Sequence, residues 1–141
     1  MTAAQFPRPL PAPNELTAPF WEAARNHRLI RPVCDDCARS FFTPQLICPH
    51  CLSERWSYRT SIGRGFVYSS TRVHRSPSPA LPAPYELAIV EIDEGWHMLA
   101  NIVATGDAPT PIGSRVEVTW LEVDEHWTFP AFNTIDIEDL R

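Results

Sequence analysis

The clearest pattern along the chain is alternation. From Phe66 to Arg75 successive residues fall on two faces, Phe66, Tyr68, Ser70, Arg72 and His74 on one and Val67, Ser69, Thr71, Val73 and Arg75 on the other, which is the period of a strand. Tyr85 to Ile92 is apolar and β-branched enough for a second strand. Asp93-Glu94-Gly95 is a tight hairpin signal that returns Trp96 to Ala104 antiparallel to it. After a turn-rich Gly106 to Gly113, Arg115 to Val123 alternates again, and Trp127 to Phe132 makes a short last strand. Five short antiparallel strands are enough to close a small Greek-key barrel of the OB type, which removes the unpaired edges. The expected fold is mainly β.

A helical stripe is predicted once, where Phe20, Trp21, Ala24 and Leu29 recur at roughly the spacing of one face. Thr17 is placed to cap it and Pro19 falls in the first turn, where a missing N–H costs nothing. The helix is expected over about Pro19 to Asn26, with Asn26 and His27 as stop positions. Fifteen prolines against five glycines favour short strands and stiff loops over long helices. Four of them lie in residues 1–13, which read as an extended arm, and four in Ser76 to Pro84, which cannot pair in a central ladder and form a long loop. The chain divides into the arm at 1–13, a helical segment at 14–33, a metal-binding ribbon at 34–60, the barrel at 61–135 and a tail at 136–141.

The ribbon rests on Cys34, Cys37, Cys48 and Cys51, spaced C-x2-C-x10-C-x2-C. Each C-x2-C pair places two thiolates on one side of a tight turn, and two pairs complete a tetrahedron of sulfur, the geometry of structural zinc sites. One structural zinc per chain is expected. Iron is the competing metal for four sulfurs, and free buried cysteines or two disulfides are the readings without metal. His50 lies inside the second knuckle, where its side chain is expected to point away from the metal.

Charge narrows the function. The net charge is -5 and the twelve basic residues are all arginine. An acidic chain lacks the cationic surplus on which non-specific nucleic-acid binding rests. The N-terminus has no signal-peptide pattern and no stretch approaches the ~20 apolar residues of a membrane span, so a cytoplasmic location is expected. None of the five histidines falls in a recognisable catalytic motif and the cysteines are committed to metal, so independent catalysis is not expected.

Several segments carry a resemblance: Phe20-Trp21-Glu22-Ala23-Ala24 with Leu29 before the first knuckle, Phe41-Phe42-Thr43-Pro44 with Cys48-Pro49 between the knuckles, and Ser61-Ile62-Gly63-Arg64-Gly65-Phe66-Val67-Tyr68-Ser69 after them. Further along stand Pro84-Tyr85, Glu91-Ile92-Asp93-Glu94-Gly95, Leu99-Ala100-Asn101-Ile102-Val103, Ile112-Gly113, Val116-Glu117-Val118 and Pro130-Ala131-Phe132. In this order they resemble the family of rubredoxin-like zinc ribbons fused to an OB-fold, long catalogued as a domain of unknown function and found beside acyl-CoA enzymes. The resemblance covers about Phe20 to Phe132. Two departures touch no metal ligand: Ala38 stands where the family usually has glycine, and Asn26-His27 where a glycine often precedes the Arg-Leu step.

The resemblance implies a non-catalytic accessory subunit that completes a thiolase-like enzyme and contributes to the passage for its coenzyme A arm. It also places Arg64, Arg72, His74 and Arg75 beside the proline loop, where they are expected to meet coenzyme A phosphates; the alternative is that these arginines are solvated or paired with acids. The arm, the helix bearing Phe20 and Trp21, and the proline loop are the expected partner surface. Phe66, Tyr68, Trp96 and Trp127 are expected in the core rather than stacking on bases. A zinc ribbon joined to an OB-fold leaves a second reading, a single-stranded nucleic-acid binder, which the net charge opposes.

Overall fold

The computed structural model describes residues 8–103 and 106–136. The expectations for residues 1–7 of the arm, for Ala104 and for the tail beyond residue 136 lie outside the described residues. Helix α1 (Ala18–Arg25) is followed by β1 (Ile30–Cys34), β2 (Trp56–Thr60), β3 (Arg64–Val73), β4 (Tyr85–Ile92), β5 (Trp96–Ile102), β6 (Arg115–Glu122) and β7 (Thr128–Thr134). β1 and β2 pair antiparallel as a two-stranded sheet, and the other five strands close a barrel in the order β3-β4-β5-β7-β6. No described helix is long and apolar enough to cross a membrane.

The helix expected over about Pro19 to Asn26 runs from Ala18 to Arg25, and the strand Ile30–Cys34 takes up the end of the 14–33 segment. A left-handed residue ends the helix. His27 has φ 55, and the N–H groups of His27 and Arg28 turn back to the carbonyls of Ala24 and Ala23, closing the helix with a Schellman-type cap. At the other end Thr17 makes no side-chain cap bond. Asn14 takes over: its Oδ1 accepts the N–H groups of Leu16 and Thr17 at 3.0 Å each, and Thr17 Oγ1 accepts the Asn14 N–H at 3.1 Å. Pro32 is tolerated inside β1 because β1 has a full partner strand on one side only; on the other a single bridge pairs Val33 with Ser40, and Pro32 takes part there as an acceptor, from the Phe41 N–H at 3.1 Å.

The barrel core is the inner face of its strands. Val67, Val90, Val116 and Phe132 have no accessible surface, and Ile92, Trp96, Met98 and Ile102 are buried with them. Phe20 and Ala23 of α1 join the same cluster with Leu29 and Ile30, so the helix is cemented to the barrel by apolar burial, each large side chain contributing about 1.5–3 kcal/mol. Gly65 allows the barrel to close. A Cβ there would lie 2.0 Å from the carbonyl oxygen of Glu91, a contact that only the absence of a side chain permits.

The alternation read along Phe66 to Arg75 is interrupted. Val67 faces Val90 and Ser69 faces Ile89, leaving Tyr68 as an extra residue in a β-bulge. Before the bulge Gly65 and Val67 face inward; after it Ser70 and Arg72 do, opposite the buried Ala88 and Glu86. Phe66 and Tyr68 therefore do not share a face with Ser70 and Arg72. Tyr68 is 54% exposed and sets its ring against His97, 5.1 Å between centroids, so it lies outside the core. Trp96 is core at 2% exposure, while Phe66 and Trp127 are half-buried.

Candidate metal centre and barrel-end cavity

The two knuckles are built alike. In each, the residue after the second cysteine adopts a left-handed conformation, Ala38 at φ 62 and Leu52 at φ 65. Its N–H returns to the carbonyl of the first cysteine, Ala38 to Cys34 at 3.0 Å and Leu52 to Cys48 at 2.9 Å. A second bond closes each turn, from the Cys34 N–H to the Arg39 carbonyl and from the Cys48 N–H to the Ser53 carbonyl. The backbone thus aims both sulfurs of each pair to one side before any metal enters.

All four sulfurs lie within 4.8 Å of one another, with Cys34 and Cys51 at 3.6 Å and Cys37 and Cys48 at 3.7 Å. A tetrahedral four-thiolate zinc centre with bonds near 2.3 Å needs sulfurs about 3.8 Å apart, so the cluster fits one. All four cysteines are free thiols. Hydrogen bonding from the Cys37 backbone N–H, working against burial, holds the Cys34 thiol down at about 7, while burial and the neighbouring sulfurs push Cys37 up and Cys51 up to about 12, so the four sulfurs cannot all ionise together without a cation between them. Phe41 and Trp56 pack around the cluster in a small core of their own. Asp36 ties the knuckles together, accepting from the Ser53 hydroxyl and pairing with Arg55, which hold its carboxyl below the usual range. His50 turns its ring to the Ser40 carbonyl at 3.2 Å and its N–H to Cys48 Sγ at 3.4 Å.

The ribbon is fastened to the barrel by residues that alternation and spacing did not single out. Arg31 of β1 meets Glu94 of the β4–β5 hairpin at 3.1 Å, and its Nε donates to Ser40 Oγ at 2.9 Å. Glu94 also accepts from the Ser61 hydroxyl, the Ile62 N–H and Trp96 Nε1. Tyr58 of β2 donates its hydroxyl to the Leu16 carbonyl at 2.7 Å, and burial pushes its own proton up to about 12.

The predicted partner aromatics are largely spent inside the molecule. Phe20 is 5% exposed and stacks edgewise on Trp21, and Trp21 packs against Trp127 and Phe129. Arg8 of the arm lies 4.5 Å above the Phe129 ring, a cation–π contact that holds this part of the arm on the barrel.

The four residues expected at coenzyme A are separated. Arg64 opens β3 and faces Glu117, Nε to carboxylate 3.7 Å. Arg72 lies eight residues along the same strand, about 26 Å away for extended chain. Arg72 lines a cavity of about 420 Å³ with Leu81 and Pro82 of the proline loop and with Glu86. His74 and Arg75 follow directly, exposed at the start of that loop.

Comparison with known proteins extends the geometry. Residues 21–57 match the model of the ChsH2 rubredoxin-like zinc ribbon domain, and residues 58–121 that of the ChsH2 C-terminal OB-fold domain. A probable enoyl-CoA hydratase alpha subunit of Thermomonospora curvata is 38% identical over 125 residues, 89% of this chain and 39% of the relative. The chain thus spans about two fifths of that relative's length. A DUF35 domain-containing scaffold protein of Methanocaldococcus jannaschii is 31% identical over 99 residues, 69% of this chain and 70% of the relative. Among solved structures, a chain of the Ltp2-ChsH2(DUF35) aldolase superposes with a TM-score of 0.80 at 37% identity, covering 89% of this chain and 98% of that one. A four-sulfur ribbon clamped to a closed five-stranded barrel, matched across both parts, makes this chain a member of the ChsH2/DUF35 family of zinc-ribbon OB-fold proteins.

Proposed function

We propose that this chain is a non-catalytic accessory subunit that docks on and completes an acyl-CoA enzyme of the thiolase or aldolase type, one that makes or breaks carbon–carbon bonds. The observation that carries the reading is the likeness, over nearly the whole of that chain, to the DUF35 component of an aldolase. Relatives named as hydratase alpha subunits and as a scaffold protein support a subunit role. The metal is zinc in this reading, and its work is structural, because four thiolates leave no open coordination position for a substrate. Arg72, His74 and Arg75, at the proline-loop end of the barrel, are the residues proposed to face the coenzyme A phosphates; Arg64, at the other end of β3, stands apart from them.

The test is co-expression of the full chain with the aldolase- and thiolase-type acyl-CoA enzymes of its host, followed by size-exclusion chromatography with mass measurement and turnover assays. A defined complex whose carbon–carbon bond chemistry requires both chains is the expected outcome. A chain that stays apart from every such enzyme, and elutes with nucleic acid that high salt removes, overturns this reading in favour of single-strand binding.

A further inference from the structure

Between β5 and β7 the barrel is closed at a single pair. The two strands run parallel, Ile102 faces Phe132, and the Val103 N–H donates to the Phe132 carbonyl at 2.8 Å. Backbone polar groups of successive strand residues turn to opposite edges, so Asn101 and Leu99 address the same edge of β5 as Val103, and Pro130 the same edge of β7 as Phe132. The far side of the barrel fixes the same phase: the Asp93 N–H goes to the Arg64 carbonyl of β3, which turns Ile92 and every second residue before it toward β5, and so Met98 and Ala100 toward β4. The next rung of the β5–β7 ladder would carry the Pro130 N–H to the Leu99 carbonyl. Proline has no N–H, so the ladder stops, and ahead of Ile102 β5 has no strand partner on this side.

A groove of about 450 Å³ lies where the rungs are missing, with Leu99 and Pro130 on its two strands and Trp21 and Phe42 beside them. Leu99 is 62% exposed. The polar lining is Arg8, Thr17, Thr43 and Asn101. The Asn101 amide is taken by the Glu86 carbonyl at 3.1 Å, and the Thr17 hydroxyl by Asn14. Arg8 is the one charged residue of the groove, and its guanidinium carbon is held 4.5 Å from the centre of the Phe129 ring, itself part of the wall. Among the described residues no acid pairs with Arg8. An occupant suited to this slot brings an extended backbone to the Leu99 edge, apolar side chains to the aromatic wall and one carboxylate to the guanidinium. We propose that the slot takes up a short extended segment of a partner protein, apolar and bearing one acidic residue, which adds as a strand to the Leu99 edge of β5 with its carboxylate on Arg8. The edge and the charge belong to this chain, so the site stands whatever chemistry the partner performs.

Amide hydrogen exchange of the full, metal-loaded chain, with fluorescence anisotropy of labelled peptides, tests the assignment. In the free chain the Leu99 amide should exchange at least about a hundredfold faster than those of Met98 and Ala100, which bond β4. The probes are the acetylated pentapeptide Thr-Val-Leu-Val-Asp and its variants with Ile, Phe or Met at the centre. At least one should bind saturably and, at saturation, slow the Leu99 amide at least about tenfold. In that peptide, Asn in place of Asp should weaken binding about threefold or more, and methylation of the backbone nitrogens along one of its two edges about tenfold or more. Arg8→Ala should bind the Asp and Asn forms within about twofold of each other. A Leu99 amide that is slow in the free chain and turns fast when residues 1–7 are removed means that the chain covers its own edge, and overturns the site. So do a slow amide in both chains, no saturable binding of any of the four peptides, or binding indifferent to the carboxylate or to the backbone nitrogens.

Discussion

Arg31 and Glu94 meet at 3.1 Å with their side chains only 14% and 18% exposed, and between them they join the metal ribbon to the barrel. Arg31 reaches Glu94 from the strand that ends at Cys34, while Glu94 sits on a barrel hairpin and accepts from three further donors. Removing one partner of a withdrawn pair leaves the other charge uncompensated. Arg31→Ala should cost about 2–4 kcal/mol in denaturant unfolding, and Glu94→Ala more, because Ser61, Ile62 and Trp96 lose their acceptor as well. Metal content should be unchanged in both, which separates loss of the joint from loss of the ribbon.

The ribbon's own stability is predicted to rest on its metal. Cys48→Ser removes a fully buried ligand and should abolish metal binding, measured by elemental analysis, and unfold residues of the ribbon while the barrel strands persist. Leu52→Gly is the contrasting change. It relieves a left-handed residue that is 70% exposed, so the metal should stay and stability should hold or rise by up to about 1 kcal/mol.

Two glycines predict opposite sensitivities. Gly65→Ala drives a methyl group into the Glu91 carbonyl and should cost more than about 3 kcal/mol or prevent folding. Gly95, at φ 88 with nothing within 4 Å, should lose only about 1–2 kcal/mol on the same substitution, from backbone strain alone. Comparing denaturation midpoints of the two variants checks both.

Asp93 accepts two bonds from Arg115, at 2.8 and 2.7 Å, which hold its carboxyl below the usual range. A depressed carboxylate contributes stability above its unfolded value and loses it as pH falls through the lower folded value. Asp93→Asn should therefore cost about 0.5–1 kcal/mol near neutral pH, the pair being partly exposed, and the difference should begin to shrink below pH ~4 and vanish only once pH has fallen past the lowered value of the folded Asp93 carboxyl. Unfolding curves of both proteins across this range give the comparison.

The barrel strands and the convergence of the cysteines were legible because each rests on a local rule, alternation for the one and knuckle spacing for the other. β1 was not, because Pro32 interrupts a short stretch that follows directly on a helix. Thr17 matched the capping rule and stands at the cap, but its hydroxyl is spent on Asn14, three residues earlier, and not on the helix's own N–H groups. Glu86 and Glu94 carry no sequence signal of their own. One reads as an ordinary polar strand residue and the other as a hairpin residue, and only the closure of the barrel and the docking of the ribbon give them partners or withhold them.

The β-bulge at Tyr68 has the effect of a one-letter frameshift. Upstream of it the strand is read in one phase and downstream in the other, so letters written for the solvent side are delivered to the interior. Were the same residues paired without a bulge, Thr71, not Arg72, would stand across from Glu86. Two neighbouring deletions are therefore far from equivalent: losing Tyr68 restores a regular strand and keeps Arg72 in place, whereas losing Thr71 slides Val73 opposite Glu86 and erases the positive charge from the barrel's inner mouth. Along this strand, insertions and deletions are the mutations that rewrite chemistry, and they do so at a distance from where they occur.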